Sequence, residues 1–367
     1  MDTLAAPDRL GRLRKLMANE GMVPAILVTS LTNVRYLCGF SGSAGSLLVT
    51  PERALLVTDG RYETQAQEQL AAFGCEADLE VGPPSAQAEA AASALAREGL
   101  GKVCLEAAHL SWARQRWLAE GPLSGCELVP TEGLVETLRR VKDPLELSLL
   151  AEAARVADEA LAELRPMLEE LPTEADFAAA LDHKMRQLKA AGPSFETIVA
   201  SGPNSAKPHH RPGERRIEPG EPVVVDFGSR FGGYCSDMTR TIWVGRLSHP
   251  ELRRAYQVVL EAQAAGVEAV RAGVAAKDVD RAARRVIEAA GWGERFVHGT
   301  GHGVGLDIHE APALSWASAD TLEVANVVTV EPGVYLPGLG GVRIEDTVVV
   351  ADSGAQTLTK TAKDELN

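Results

Sequence analysis

The order of apolar and polar positions divides the chain into two stretches with different patterns. Up to about Thr131, short β-branched runs alternate with helix-like segments: AILVTS, then GSLLVT and RALLVTDG across a TPE turn, then KVCLEA and CELVPT. This alternation predicts a mixed α/β domain over residues 1–131. Its apolar runs carry few histidines or acids, so its expected part is structural or substrate-shaping. From residue 132 a helical stretch, GLVETLRRVKDPLELSLLAEAARVADEALAELRPM, leads into a second domain, 132–367, whose elements come twice. Helices near Pro144–Pro166 and Thr173–Ala191, a strand near Thr197–Ser201 and the hairpin EPVVVDFGSRFGGYCSDMTRTIWVG form the first set. Ser248-His249-Pro250 then starts a helix with proline in its first turn. Helices near Pro250–Arg271 and Ala276–Ala290, a glycine-rich segment and the hairpin NVVTVEPGVYLPGLGGVRIEDTVVV form the second set. One plan used twice predicts a pseudo-two-fold α+β domain.

Both hairpins carry acids inside apolar runs. With Phe231 and Gly232 as a two-residue loop, counting outward sets Asp226 opposite Asp237. Two carboxylates about 5 Å apart repel by roughly 3 kcal/mol at an effective dielectric near 20, and like charges facing one another weaken a sheet. A cation between them reverses the sign. In the second hairpin Glu331 ends the run VVTV and Glu345 follows GVRI, with the glycines around Leu339 making the turn. A single acid of this kind is ordinarily a solvated face or a structural ion pair. Two acidic pairs at equivalent places of two repeated halves point instead to bound metal. Between the hairpins, FVHGTGHGVGLDIHEAP holds His298, His302 and His309 among glycines that disfavour a helix and predict an irregular loop close to a ligand. Four carboxylates with an imidazole make an oxygen-rich set whose charge balances two divalent ions. Such a set suits manganese, cobalt or iron at least as well as zinc, and two metals sharing an activated water are its expected use.

Composition narrows the field without naming a substrate. Of 367 residues, 45% are hydrophobic and 24% charged, an ordinary globular balance long enough for two domains. The net charge of −14 argues against a nucleic-acid partner. Five scattered cysteines without a C-x-x-C pair fit free thiols in a reducing compartment. The opening MDTLAAPDRLGRLRKLM has no signal-peptide pattern and no run is long enough to span a membrane, so the expected location is cytoplasmic.

VVVDFG, SDMTRT, HGTGHGVGLDIHE, TVEPGVY and GVRIEDT, in this order, resemble the "pita-bread" metallopeptidases of the creatinase and methionine aminopeptidase superfamily. The closest resemblance is to their Xaa-Pro aminopeptidase and prolidase branch, peptidase family M24. IVASGPNSAKPHHRP resembles that branch's substrate-site strand and loop, and NVRYLCGFSGSAG and TDGRYETQA its creatinase-like amino-terminal domain. The resemblance implies Asp226, Asp237, His302, Glu331 and Glu345 as ligands of two divalent ions, most readily Mn2+, with Co2+, Fe2+ or Zn2+ as alternatives, and with Asp237 and Glu345 bridging. It implies Glu331 as general base, His209 and His309 as holders of the scissile carbonyl and its oxyanion, and His298 as lining for the proline ring. If the register of the two histidines differs, His209 and His210 exchange roles. Arg343 and Thr239 are implied to orient the bridging carboxylates. The implied activity is release of an N-terminal residue before proline by metal-activated hydroxide, in a homodimer acting on peptides with proline second. The rivals are a prolidase restricted to dipeptides, and a non-catalytic peptide-binding module of the same fold. Creatinase and methionine aminopeptidase fit less well, the first because all five ligands are present, the second because of the amino-terminal domain and the proline-branch motifs. His109, His183 and His249 lack acidic or glycine-rich context and read as surface or packing residues.

Overall fold

The computed structural model describes residues 8–246 and 249–364. The chain divides into two compact units between Arg139 and Arg140. In the first, helix α1 (Arg9–Asn19) is followed by β1 (Ile26–Val28), α2 (Leu31–Cys38), β2 (Gly45–Val49), β3 (Ala54–Thr58) and α3 (Glu63–Phe73). Then come β4 (Asp78–Val81), α4 (Pro84–Arg97), β5 (Lys102–Glu106), α5 (Trp112–Glu120), β6 (Glu127–Thr131) and α6 (Leu134–Arg140). One mixed sheet runs β4-β3-β2-β1-β5-β6, with the expected β2–β3 hairpin antiparallel and β5 and β6 parallel to β1 and to each other. Leu27, Leu48, Val57, Val103 and Leu105 form the core with alanines of α4. Strand β4 escaped the apolar pattern because most of its DLEV side chains are exposed at the sheet edge. The units part later than the expected 131/132 boundary because α6 is tied into the first. Tyr36 donates to the Leu138 carbonyl at 3.2 Å and Arg139 to Asn33 at 2.8 Å.

The second unit opens with α7 (Pro144–Leu164), where Asp143 and Glu146 form a capping box around Pro144 at the first turn. Helix α8 (Glu174–Gln187), capped by Thr173, and strands β7 (Gly192–Pro193) and β8 (Ile198–Ser201) follow. The first hairpin is built from β9 (Pro222–Phe227), β10 (Ser229–Phe231), β11 (Tyr234–Cys235) and β12 (Met238–Trp243). Next come α9 (Pro250–Ala269), α10 (Ala276–Ala289), β13 (Gly301–Gly303) and β14 (Glu310–Leu314). The second hairpin consists of β15 (Val327–Val330), β16 (Gly333–Leu336), β17 (Gly340–Arg343) and β18 (Asp346–Ala351), with β19 (Gly354–Thr357) pairing back onto β18. Two helices followed by a hairpin therefore occur twice. Ser248 lies outside the described residues; His249 occupies the position before α9 and makes no side-chain cap.

The two hairpins meet through their inner strands. The Glu345 N–H donates to the Thr239 carbonyl at 3.1 Å, and Thr241 exchanges two hydrogen bonds with the Arg343 backbone. Buried Arg240 crosses the same seam to Asp346 at 2.7 Å. Val223, Val225 and Phe227 pack toward α7 and α8, while Val328, Val330 and Val348 form a second apolar cluster with Val270 and Val279. Polar groups thus concentrate at the seam and apolar ones at the helix-covered faces. Among the described residues no helix is long and apolar enough to cross a membrane.

Candidate metal centre and substrate pocket

The first hairpin corrects the expected register. Its two-residue loop is Gly232-Gly233, since Phe231 pairs with Tyr234, and Asp226 therefore stands opposite Thr239 rather than Asp237. Both loop residues have positive φ, 56° and 93°, which a tight primed turn demands and which Phe231 would adopt only under strain. Asp237 lies two residues from Thr239, just outside β12. The period of two keeps it on the face of Asp226 as a diagonal neighbour. In the second hairpin Val330 pairs with Asp346 and Gly333 with Arg343, so one continuous register sets Glu331 level with Glu345 at the junction of its two ladders.

The seam brings these acids together. Asp226, Asp237 and Glu345 each offer an oxygen within 4.8 Å of the others. His302 turns Nε2 toward the same point, 3.5 Å from Asp237 and 3.4 Å from Glu331. Its Nδ1 lies 3.0 Å from the Gly303 carbonyl, which can only accept. Nδ1 must therefore carry the proton, leaving the Nε2 lone pair aimed into the cluster. His302 sits in short strand β13 rather than in a wholly irregular loop. A Cβ at Gly301 would stand 2.0 Å from the Thr329 carbonyl oxygen, so this glycine permits close backbone approach to β15.

Electrostatics set the cluster apart. Burial pushes the carboxyls of Asp237 and Glu345 well above the usual range, and the neighbouring acids push them further. Glu331 rises to about 7, again through burial, with Arg343 opposing. Burial lowers His302 and His309 below the ordinary imidazole range and takes His298 down to about 4, so these rings are neutral at pH 7. Oδ1 of Asp226 and Oε1 of Glu345 are buried without a hydrogen-bond partner. Unpartnered oxygens in a crowd of acids are the donor set that a hard divalent cation satisfies.

A cavity of about 460 Å3 opens over the cluster, lined on its far side by His209, His298 and His309. The His309 ring packs edge-on to His302 with centroids 4.4 Å apart. His209 is close enough for its charge to bear on both His298 and His309. His210 also borders the cavity, but its Nε2 is held at 2.8 Å by buried Glu174. Both His298 nitrogens are engaged, Nδ1 by the Gly299 carbonyl and Nε2 by the Tyr335 hydroxyl, each at 2.8 Å. Thr239 donates to Glu345 Oε2 at 2.7 Å. Arg343 grips Asp226 at 2.5 Å and reaches Thr239 through Nε, so it orients Asp226 directly and, of the two acids expected to bridge, only Glu345 by way of Thr239. His109, His183 and His249 are exposed, away from this cavity.

Two residues that support this arrangement were not singled out in the sequence, although Tyr335 ends the motif TVEPGVY. Tyr335 joins His298 to Arg343, and Glu174, at the first turn of α8, takes hydrogen bonds from Ser201, Asn204 and His210 to shape the loop carrying His209. An acid at a helix start is ordinarily a surface residue, and only its burial marks Glu174.

Carboxylates, an imidazole lone pair and neutral histidine donors around one cavity define a metal-dependent hydrolase. Residues 148–352 match the model of metallopeptidase family M24, and residues 9–141 match the creatinase/prolidase N-terminal domain. The chain belongs to metallopeptidase family M24. It is 36% identical to a Xaa-Pro dipeptidase of Pyrococcus furiosus, over 97% of this chain and 99% of that one. A solved Xaa-Pro dipeptidase from Bacillus anthracis superposes with a TM-score of 0.91 at 39% identity, covering 98% and 99% of the two chains. An X-Pro aminopeptidase from Thermotoga maritima gives 0.89 at 31% identity, covering 97% and 99%.

Proposed function

We propose that the protein removes an N-terminal residue from peptides whose second residue is proline, as a Xaa-Pro aminopeptidase. The observation that carries this reading is the buried acid cluster with two unpartnered oxygens beneath a histidine-lined cavity. Asp226, Asp237, His302, Glu331 and Glu345 would hold two divalent cations, Mn2+ first among them. When bound, the ions supply Lewis-acid charge that polarises the scissile carbonyl and makes a water acidic near neutrality.

The chain's own groups account for the rest. Glu331, held near neutrality, accepts a proton from the attacking water and passes it to the proline nitrogen as the C–N bond breaks. The released products are a free amino acid and a peptide beginning with proline. His209 and His309, on the cavity lining, donate to the carbonyl oxygen as negative charge develops. His298, with both nitrogens occupied, presents its ring as a wall for proline rather than as a donor. A bond to proline has no N–H and a fixed ring, so a rigid wall recognises it better than hydrogen bonds do.

A second reading, a dipeptidase restricted to Xaa-Pro, is favoured by the names of relatives at 36% and 39% identity. Arg211, on the cavity lining and largely exposed, offers a cation for a free proline carboxylate. Metal-stripped protein reloaded with Mn2+ and assayed on Ala-Pro, Ala-Pro-Ala and Ala-Ala-Ala separates the two. Metal-dependent cleavage of the tripeptide before proline supports the aminopeptidase, cleavage of Ala-Pro alone supports the dipeptidase, and no cleavage of any defeats both.

A further inference from the structure

The loop that ends in His309 is closed from within by one carboxylate. Glu310 Oε1 accepts from the Asp307 N–H at 3.0 Å, and the Gly305 N–H donates to the Asp307 carbonyl at 3.0 Å. The same carboxylate lies so close to Gly305 that a Cβ there would stand 2.5 Å from both of its oxygens. The Gly305 carbonyl is in turn held by the Cys235 N–H of the first hairpin at 2.8 Å. The conformation that presents His309 to His302 therefore turns on the Glu310 carboxylate, whose side chain is buried.

The charge is balanced by Lys142, whose side chain is fully buried and whose Nζ lies 3.1 Å from Glu310 Oε2. Lys142 is itself fixed: its N–H donates to the Ala325 carbonyl at 3.0 Å, and Asn326 donates to the Arg140 carbonyl at 3.0 Å. The next residue, Asp143, begins the capping box of α7. Lys142 lies between the segment matched by the N-terminal-domain model, 9–141, and that matched by the peptidase model, 148–352. A buried ammonium is costly and shifts its charge readily unless paired, so its placement against the one acid that closes this loop calls for a reason.

We infer that Lys142 is a positioning residue for the reaction. From the start of the second unit it neutralises Glu310 and so holds the His309 loop in its working conformation. This rests on His309 acting on the scissile carbonyl, as proposed above. Misplacement of a catalytic group by about 1 Å costs about a hundredfold in rate, so loss of Lys142 acts on kcat more than on KM.

The test uses the full chain loaded with Mn2+, with kcat and KM for Ala-Pro and Ala-Pro-Ala expressed per metal-loaded folded molecule. Lys142→Met is expected to lower kcat about ten- to a hundredfold with KM within about threefold. Lys142→Arg is expected to recover most of the loss. Glu310→Gln in the Lys142→Met background removes the carboxylate that faced Lys142 yet still accepts from Asp307, and is expected to restore activity in part. His309→Ala is measured alone and combined with Lys142→Met, and the double variant is expected to be no slower than His309→Ala. If His309→Ala keeps wild-type kcat, the role of His309 fails and the inference with it. If His309→Ala is impaired while Lys142→Met keeps kcat, or if the two losses multiply, the inference alone is overturned. A Lys142→Met protein that loses only thermal stability overturns it in the same way.

Discussion

Glu345 and Asp346 are adjacent in the chain, both buried, and differ in almost every electrostatic respect. Asp346 accepts from Arg240 and Thr359 on one oxygen and from Lys363 and Gln263 on the other. Burial opposes its ionisation, but Arg240 and Lys363 outweigh that and hold its carboxyl below the usual range. Glu345, on the opposite face, has one oxygen bonded by Thr239 and one with no partner, and burial together with Glu331 and Asp226 drives its carboxyl upward. A buried acid that the protein satisfies by itself serves the architecture. One that is left short of partners serves something the protein binds.

The comparison breaks most sharply on substitution of the two acids' surroundings. Glu345→Ala and Asp237→Ala are expected to abolish hydrolysis of Ala-Pro and to lower bound Mn2+ while the first unit stays folded; full activity in either would defeat the dinuclear assignment. Arg240→Met, on the satisfied side, leaves Asp346 with Lys363 as its remaining cation and frees the Thr239 and Glu345 carbonyls that Arg240 also bonds, and is expected to cost up to about 3 kcal/mol in urea denaturation, a larger effect than on kcat per folded molecule. Unaltered stability would show that Asp346 needs no such partner.

Thr239→Val removes the hydroxyl between Glu345 and Arg343 and is expected to lower activity or metal affinity about ten- to a hundredfold, read by titration of the stripped protein with Mn2+. The smallest effect is in the response to pH. With metals chelated, Asp237, Glu331 and Glu345 bind protons more tightly folded than unfolded. Their contribution to stability is complete below about pH 4 and is lost as pH rises through their folded values, about 7 for Glu331. Asp346 runs the other way, contributing above about pH 4 and losing its contribution below. His298, His302 and His309, lowered by burial, add stability as pH rises toward about 6.5, so the carboxyls act alone only above that. Calorimetry in chelator is therefore expected to show Tm falling by a few degrees from about pH 7 to about pH 9, with Mn2+ flattening the decline. A Tm that rises over this range without metal would refute the charge assignment.

The repeated plan of the second unit was legible because its helices are long, periodic and marked by prolines, and because VVVDF and VVTV are apolar on both faces, as strands buried between layers must be. The acids were legible because charge inside such runs is rare. The register was not: the expected pairing of Asp226 with Asp237 gives way to Asp226 with Thr239, since FGG offers two alternative two-residue turns and only the backbone angle that Phe231 can bear chooses between them. Edge strand β4 was missed for want of an apolar face, and the division after Arg139 because hydrogen bonds to Asn33 and from Tyr36, distant in sequence, decide where α6 belongs. Glu174 and Lys142 read as ordinary charged residues. Their significance is their burial, which depends on segments tens of residues away.

The seam between the hairpins also has a kinetic meaning. The ligands proposed for it span Asp226 to Glu345, and neither hairpin alone carries more than two of the four acids, so no local fragment of an unfolded chain brings the set together. Closing so long a loop is slow and comes after the local elements have formed. Metal held at this proposed site is therefore expected to enter after the barrier that limits folding and to act by slowing escape from the native state. Refolding rates should be indifferent to Mn2+, whereas unfolding should slow with each increment of ion, making the centre a latch on a completed structure rather than a seed for it.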